Sequence, residues 1–242
     1  MNNHETKDKQ RQQLRCKLRA QRDSLTRQQL QQAESDLLAQ LQSSWASLAN
    51  ALQLQAERRQ ADQPQADQLQ AEQPQAEQPQ AEQSSGQSTH LKIAGYLASG
   101  GEISLASSLQ WLREQNHSTY LPIVRHQHLM FAKLDDDTQF TTGKYNIDIP
   151  VFCEDTLLPA AQLDIVFLPL VGFDLQGGRI GMGGGYYDRT FAFLIENKRG
   201  TTAKPLMLGV AHEFQRQQKI PVEHWDVPIA GAITDQASYS IS

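Results

Sequence analysis

Residues 164–189 read DIVFLPLVGFDLQGGRIGMGGGYYDR. The first seven, DIVFLPL, form an apolar run bounded by turn residues and predict the strongest strand of the chain. A short loop, VGFDLQGG, follows. Then four glycines, two tyrosines and an aspartate stand between Arg179 and Arg189, and a helix is predicted over 186–196. Strand, glycine loop and helix start are the place where α/β folds bind phosphate, because backbone N–H groups converge there and the helix dipole favours an anion. Glycines also let the backbone approach a ligand without Cβ atoms in between. Two familiar phosphate loops are excluded: no GK[ST] is present, and the third glycine of a dinucleotide fingerprint would fall at Tyr186. On the glycines alone, a phosphate site and a tight turn needing positive φ both stay open. Asp188 falls in the predicted first helical turn, where a carboxylate starts a helix well and could also hold Mg²⁺ beside phosphates. Tyr186 and Tyr187 could stack on a flat ring or pack under the loop. Arg179 could meet a phosphate or a surface carboxylate.

Outward from this stretch, strands and helices alternate. Strands are predicted at LKIAGYL (91–97), TYLPIV (119–124), LMFAKL (129–134), LMLGVA (206–211) and IAGAIT (229–234). A helix runs through Leu105, Leu109 and Leu112. Upstream, a helix over 7–23 sets Arg11, Arg15, Arg19 and Arg22 on one expected face. Thr26 with Gln29 gives a capping-box start to a second helix, which continues through Leu30, Ala33, Leu37, Leu41, Trp45 and Leu48. The alternation predicts an α/β fold: a Rossmann-like three-layer domain with a largely parallel sheet, preceded by N-terminal helices.

Residues 55–83, QAERRQADQPQADQLQAEQPQAEQPQAEQ, repeat a five-residue unit of Gln, Ala, Glu and Pro. Such a segment has too little apolar surface to offset the entropy of ordering it, and Pro64, Pro74 and Pro79 interrupt any helix. The expectation is a disordered insertion over 52–89 within a single domain spanning 1–242. A tandem repeat tolerated in a surface loop accounts for it, since long loops cost little to close; a partner-binding tether is the other reading.

Composition adds limits. The 242 residues carry 27 acidic and 22 basic side chains, a net charge of -5, so no general nucleic-acid binding is expected. The two cysteines, Cys16 and Cys153, have no metal-like spacing. The N-terminus has no apolar core of a secretory signal, and no apolar run is long enough to span a bilayer. The expectation is a cytoplasmic monomer with no membrane partner. His126 and His128 flank a turn with no third ligand nearby in sequence, and Asp135 to Asp137 lack calcium-loop spacing.

The glycine stretch resembles the signature of the 5-formyltetrahydrofolate cyclo-ligase family. Pro169, Phe173, Asp174, Arg179, Gly181, Gly183, Gly185, Tyr186, Tyr187 and Asp188 stand in register with it. The likeness extends to Arg11, Leu14 and Arg15 on the first helix, although the family more often has Lys at the first of these. It also takes in Glu102 in YLASGGEIS, the Lys144, Tyr145, Ile147, Pro150 segment, and Pro221, Val222 and Asp226. Where some members carry a lysine, this chain has Gly184.

The resemblance implies conversion of 5-formyltetrahydrofolate and ATP to 5,10-methenyltetrahydrofolate, ADP and phosphate. It implies ATP contacts by Arg11, Arg15, Tyr145, Arg179, Gly181, Gly183, Gly184, Gly185, Tyr186 and Tyr187, with Arg179 and Tyr187 also serving catalysis. It implies folate contacts by Glu102 and Tyr187, and Mg²⁺ on Asp188 and Asp226. Two rivals stand beside it. One is a non-catalytic interaction protein on the same fold, against which the intact 179–189 stretch argues. The other is an enzyme acting on sugar phosphates or acyl-CoA, with Glu102 as its one candidate acid–base group.

Overall fold

The computed structural model describes residues 3–62, 90–142, 148–196 and 204–241. Two helices open the chain, α1 (Asn3–Asp23) and α2 (Arg27–Asp62). The expected capping box joins them: Gln29 Oε1 accepts the Thr26 N–H at 2.9 Å, and the Thr26 hydroxyl accepts the Gln29 N–H at 3.3 Å. Along α2, Ala33, Leu37, Leu41 and Leu52 are buried. The helix therefore continues past residue 52, where the sequence placed the start of the insertion. Its described part reaches Asp62. The remainder of that insertion, 63–89, lies outside the described residues.

The chain goes on through β1 (Lys92–Ala94), α3 (Ala106–Glu114), β2 (Ser118–Arg125), β3 (His128–Leu134), β4 (Phe140–Thr142) and β5 (Asp148–Pro150). It continues with β6 (Ile165–Pro169), β7 (Gly172–Phe173), β8 (Arg179–Ile180), α4 (Tyr186–Thr190) and α5 (Phe193–Glu196), and ends with β9 (Leu206–Ala211), β10 (Gly231–Thr234) and β11 (Ser238–Ser240). Seven strands form one sheet in the order β11-β10-β9-β6-β1-β2-β3. The five inner strands are parallel, and β3 and β11 pair antiparallel at the two edges. The sheet is thus mixed and mostly parallel. No helix among the described residues is long and apolar enough to cross a membrane.

Alternation along the inner strands feeds two cores. Ile165, Phe167, Leu208 and Val210 pack with α2 and α3, whereas Val166, Leu168, Met207 and Ala211 pack on the opposite face with Phe131, Phe191 and Ile229. A strand buried on both faces reads as the continuous apolar run seen in DIVFLPL.

Two expectations shift. The strand at 91–97 is short, because the chain leaves the sheet after Ala94 and the Tyr96 hydroxyl turns to donate to the Ile103 carbonyl at 2.7 Å. The helix at 186–196 breaks into α4 and α5 around Phe191, which is fully buried in the second core.

Asp174 organises the segment after β6. Its Oδ1 accepts the N–H groups of Gln176 and Gly178 at 2.8 and 2.9 Å, and its Oδ2 accepts that of Ile220 at 2.6 Å. The carboxylate is 1% exposed, and the Gly178 and Ile220 N–H groups are bonded to it in buried settings, so these two have no water to turn to. Asp174→Asn replaces one acceptor oxygen by an NH₂ that faces a donor. The expected loss is about 2–3 kcal/mol of stability, seen as a lower urea midpoint with an unchanged m-value.

Candidate active site

Taken in sequence order, the five parallel strands lie in space as 2-1-3-4-5. In such a sheet the strand order reverses between β1 and β6, and ligands bind beyond the carboxyl ends of the strands at that reversal. The carboxyl end of β1 leads to the turn carrying Glu102. The carboxyl end of β6 leads to the glycine loop. Topology therefore brings together two segments about 80 residues apart that the sequence could join only through a family likeness.

The glycine loop is held open from below. Gly183 and Gly185 have φ of 97° and 66°, in the left-handed region that glycine enters without a Cβ penalty. Among the described residues, no protein acceptor is bonded to the N–H groups of Met182 to Gly185. Helix α4 has only five residues, so its dipole is small and the free amides matter more. Gly181 has open space where a Cβ would stand, and a Cβ on Gly184 would touch the Tyr186 ring at 3.1 Å. Arg189 ties the loop to the β2–β3 hairpin: it donates to the carbonyls of Gly184 and Gln127 at 2.8 and 2.9 Å.

Helix α1 supplies cations to this loop. Arg15 Nε donates to the Gly181 carbonyl at 2.9 Å. Arg11 grips Asp226 through both carboxylate oxygens, at 2.5 and 3.3 Å, and donates to the Pro221 carbonyl at 2.9 Å. Burial works against the Arg11 charge, but the bond to Asp226 and the nearby carboxylates Glu223 and Asp188 outweigh it, so its pKa is raised. Burial and the neighbouring Arg11 lower that of Arg15. The expected common face for all four arginines is corrected. Arg11, Arg15 and Arg22 turn inward with Leu14 and Leu18, while Arg19 is exposed. At about 100° per residue, Arg22 comes back to within about 20° of Arg11 and Arg19 falls about 80° away.

Arg179 and Asp188 form a second pair. Arg179 is buried, donating from Nη2 to Asp188 Oδ1 at 2.5 Å and from Nε to the Val227 carbonyl at 3.0 Å. The Val227 N–H returns to Asp188 at 3.1 Å. This closed ring sets Asp188 beside the segment bearing Asp226. Mg²⁺ is commonly held by one or two carboxylates together with substrate phosphates and water; among the described residues Asp188 Oδ2 has no protein donor, whereas Arg11 and the Glu223 N–H engage both oxygens of Asp226. No cluster of three or more His, Cys, Asp or Glu side chains gathers among the described residues.

The Glu102 charge acts on both Tyr187 and Tyr96. Burial raises the Glu102 pKa, against the lowering effects of the Ser99 N–H and Arg22. Burial also pushes the Tyr187 phenol well up, and the Glu102 charge adds to this. Tyr187 stacks on Phe191 with ring centres 6.2 Å apart, while Tyr186 is exposed and lies under the Arg189 guanidinium. One tyrosine packs and the other faces outward. Tyr145 lies outside the described residues. The sequence places Arg22 on the shared face but marks no role for it, nor for His212, which immediately follows the strand LMLGVA; no local pattern marks either role.

Two buried histidines set a pH limit on stability. Burial lowers the pKa of His117, helped by His90, and that of His212, partly offset by the Gly101 carbonyl and Asp235. Below the usual histidine value of 6.5, the unfolded chain takes up protons that the folded chain still refuses. Stability should therefore fall as pH drops through 6.5 towards the lowered folded values. Urea unfolding between pH 7.5 and about 5.5 checks this, and His117→Gln should flatten part of the decline.

The fold and this cluster define an α/β protein with a glycine loop, paired arginines and paired carboxylates at the reversal point of its sheet. The chain belongs to the 5-formyltetrahydrofolate cyclo-ligase family, whose sequence model matches residues 52–235. The 5-formyltetrahydrofolate cyclo-ligase of Haemophilus influenzae is 39% identical over 140 residues, 57% of this chain and 72% of that protein. That of Escherichia coli K12 is 32% identical over 145 residues, 59% of this chain and 76% of that protein. The NMR structure of Aquifex aeolicus 5,10-methenyltetrahydrofolate synthetase has a TM-score of 0.64 at 21% identity, covering 96% of this chain and 92% of that one. The synthetase structure from Mycoplasma pneumoniae has a TM-score of 0.55 at 18% identity, covering 93% and 99%. The structural likeness covers more of the chain than the 52–235 matched by the family model.

Proposed function

We propose that this chain makes 5,10-methenyltetrahydrofolate from 5-formyltetrahydrofolate by phosphorylating the formyl oxygen with ATP before the ring closes. The activity itself follows from family membership. The route follows from chemistry. An N5-formyl group is amide-like and a poor electrophile towards N10. Transfer of the γ-phosphoryl group breaks its bond to the bridging oxygen of ADP and forms a P–O bond to the formyl oxygen. N10 of the same molecule then attacks the formyl carbon, aided by proximity. Loss of the N10 proton and of phosphate leaves the methenyl bridge.

The protein's part is to position and to neutralise charge. The observation that carries this reading is the row of free amides at Met182 to Gly185, flanked by Arg15 and backed by the Arg179–Asp188 pair. We assign the phosphates of ATP to these amides with Gly181, Gly184, Arg11, Arg15 and Arg179, and Tyr145 and Tyr186 to the rest of the nucleotide. Glu102 and Tyr187 take the reacting end of the folate. Asp188 and Asp226 are the residues that would hold Mg²⁺, which when bound neutralises phosphate charge. The Glu102 side chain is largely buried, and its charge acts on Tyr96 and Tyr187, so a carboxylate acceptor for the N–H groups of a pterin ring stands with aromatic side chains that suit its flat faces.

The test is to mix the purified chain with 5-formyltetrahydrofolate and ATP, with and without Mg²⁺, and follow the near-ultraviolet absorbance of the methenyl product alongside released phosphate. Equal amounts of product and phosphate are expected, and only with ATP. Product without ATP, or ATP hydrolysis without product, would overturn the route.

A further inference from the structure

Glu102 stands on a turn that is held by two side chains from outside it. Gly100 and Gly101 are both left-handed, at φ 54° and 74°. The Gly100 carbonyl accepts from Arg22 Nε at 2.6 Å, and the Gly101 carbonyl is 3.0 Å from His212 Nε2. The turn then closes on itself, with the Ser99 N–H donating to Glu102 Oε2 at 3.0 Å and the Glu102 N–H donating to the Ser99 carbonyl at 3.1 Å. Arg22 Nη1 stands 3.5 Å from Glu102 Oε1, and its Nη2 lies 3.9 Å from the sulfur of Met182 in the glycine loop.

Both outside groups are buried, each 2% exposed. Arg22 comes from the last turn of α1. His212 immediately follows β9, where its ring stacks on Phe214 at 5.3 Å and its backbone N–H donates to Gln215 Oε1 at 2.9 Å. A Cβ on Gly101 would sit 2.7 Å from the Arg22 carbonyl oxygen, so the turn is seated directly on the end of α1. A guanidinium this deeply buried is costly, and an apolar side chain of similar size often serves stability as well or better. What an apolar side chain could not do is donate to Gly100 while presenting positive charge to Glu102.

We propose that Arg22 and His212 are positioning residues for Glu102. By fixing the two glycine carbonyls, they hold the carboxylate in one orientation towards the folate. Arg22 acts on the Glu102 carboxylate as well as on the turn; His212 acts on the turn alone. The proposal rests on the assignment of Glu102 to the folate.

The experiment measures kcat and both KM values for Glu102→Gln, Arg22→Met, Arg22→Lys and His212→Phe, and for the two double variants that add Arg22→Met or His212→Phe to Glu102→Gln. His212→Phe keeps a ring against Phe214 and removes the donor. Arg22→Met and His212→Phe should each raise the KM for 5-formyltetrahydrofolate about tenfold, while the KM for ATP stays within about twofold. Arg22→Lys, which can still donate to Gly100, should fall between. On the Glu102→Gln background both effects should largely vanish, because groups acting through one residue are not additive. If Arg22→Met fails to fold, His212→Phe and its double variant decide. Folded single variants with an unchanged folate KM overturn the proposal, as do effects that add in full to Glu102→Gln. If Glu102→Gln itself leaves the folate KM unchanged, the assignment of Glu102 fails first and the proposal falls with it.

Discussion

Asp188→Asn is expected to lower turnover by about 10²–10³-fold while the chain stays folded. The amide oxygen of Asn can still accept from Arg179 and from the Val227 N–H, which now meet Asp188 Oδ1 at 2.5 and 3.1 Å. What disappears is the negative charge opposite a buried guanidinium and beside the glycine loop. Because both hydrogen bonds survive and Asp188 is partly exposed, the stability loss should be about 1–3 kcal/mol, below a typical total of about 5–15 kcal/mol. On the proposed assignment of Asp188 to Mg²⁺, the catalytic loss should be larger, because the metal's charge would be used where the phosphoryl group carries most of its negative charge. Steady-state kcat at saturating ATP, 5-formyltetrahydrofolate and Mg²⁺, beside a urea midpoint, separates the two. A variant with wild-type kcat would remove Asp188 from the reaction.

Phe191→Ala should have the largest effect on stability, about 3–5 kcal/mol. Phe191 is fully buried at the break between α4 and α5. Its ring packs against Phe131, Phe193 and Tyr187 at 6.1, 6.1 and 6.2 Å between centres. Truncation leaves a cavity that these rings can only partly fill. Because Tyr187 rests on this ring, the same change should also raise the KM for 5-formyltetrahydrofolate. Urea unfolding at low temperature, with the m-value unchanged, reads the first effect, and initial rates read the second. A loss under about 1 kcal/mol would mean that the second core closes over the gap.

The two predictions join core and site through four consecutive residues, 188–191. That link could not be read from the pattern, in which 186–196 looked like one helix. Phe191 ends α4 because its ring is drawn into the second core, and a tertiary demand of that kind outweighs local helix propensity.

Elsewhere, local chemistry was enough. The capping box at Thr26 and Gln29 formed as expected, since donor and acceptor lie three residues apart. The apolar run before the glycine loop became the central strand β6, since burial on both faces leaves no polar alternation. The left-handed positions at Gly183 and Gly185 belong to a glycine-rich turn whose conformational needs are written in its own residues. Each of these depends on neighbours within a turn or two of chain.

Long-range placement came from the assembled sheet. Which arginines of α1 face inward follows from where the helix docks, and 3.6-residue geometry then admits Arg11, Arg15 and Arg22 and excludes Arg19. The triple acceptor role of Asp174, the ring of Arg179, Asp188 and Val227, and the clamp of Arg22 and His212 on the Glu102 turn each join segments dozens of residues apart. The sequence alone determined where the principal strands of the sheet and the first helices lie, because periodicity and turn chemistry are local. Only the tertiary structure decided which charged groups share the site, because that depends on the order of strands in the sheet and on where the carboxyl ends of β1 and β6 come together.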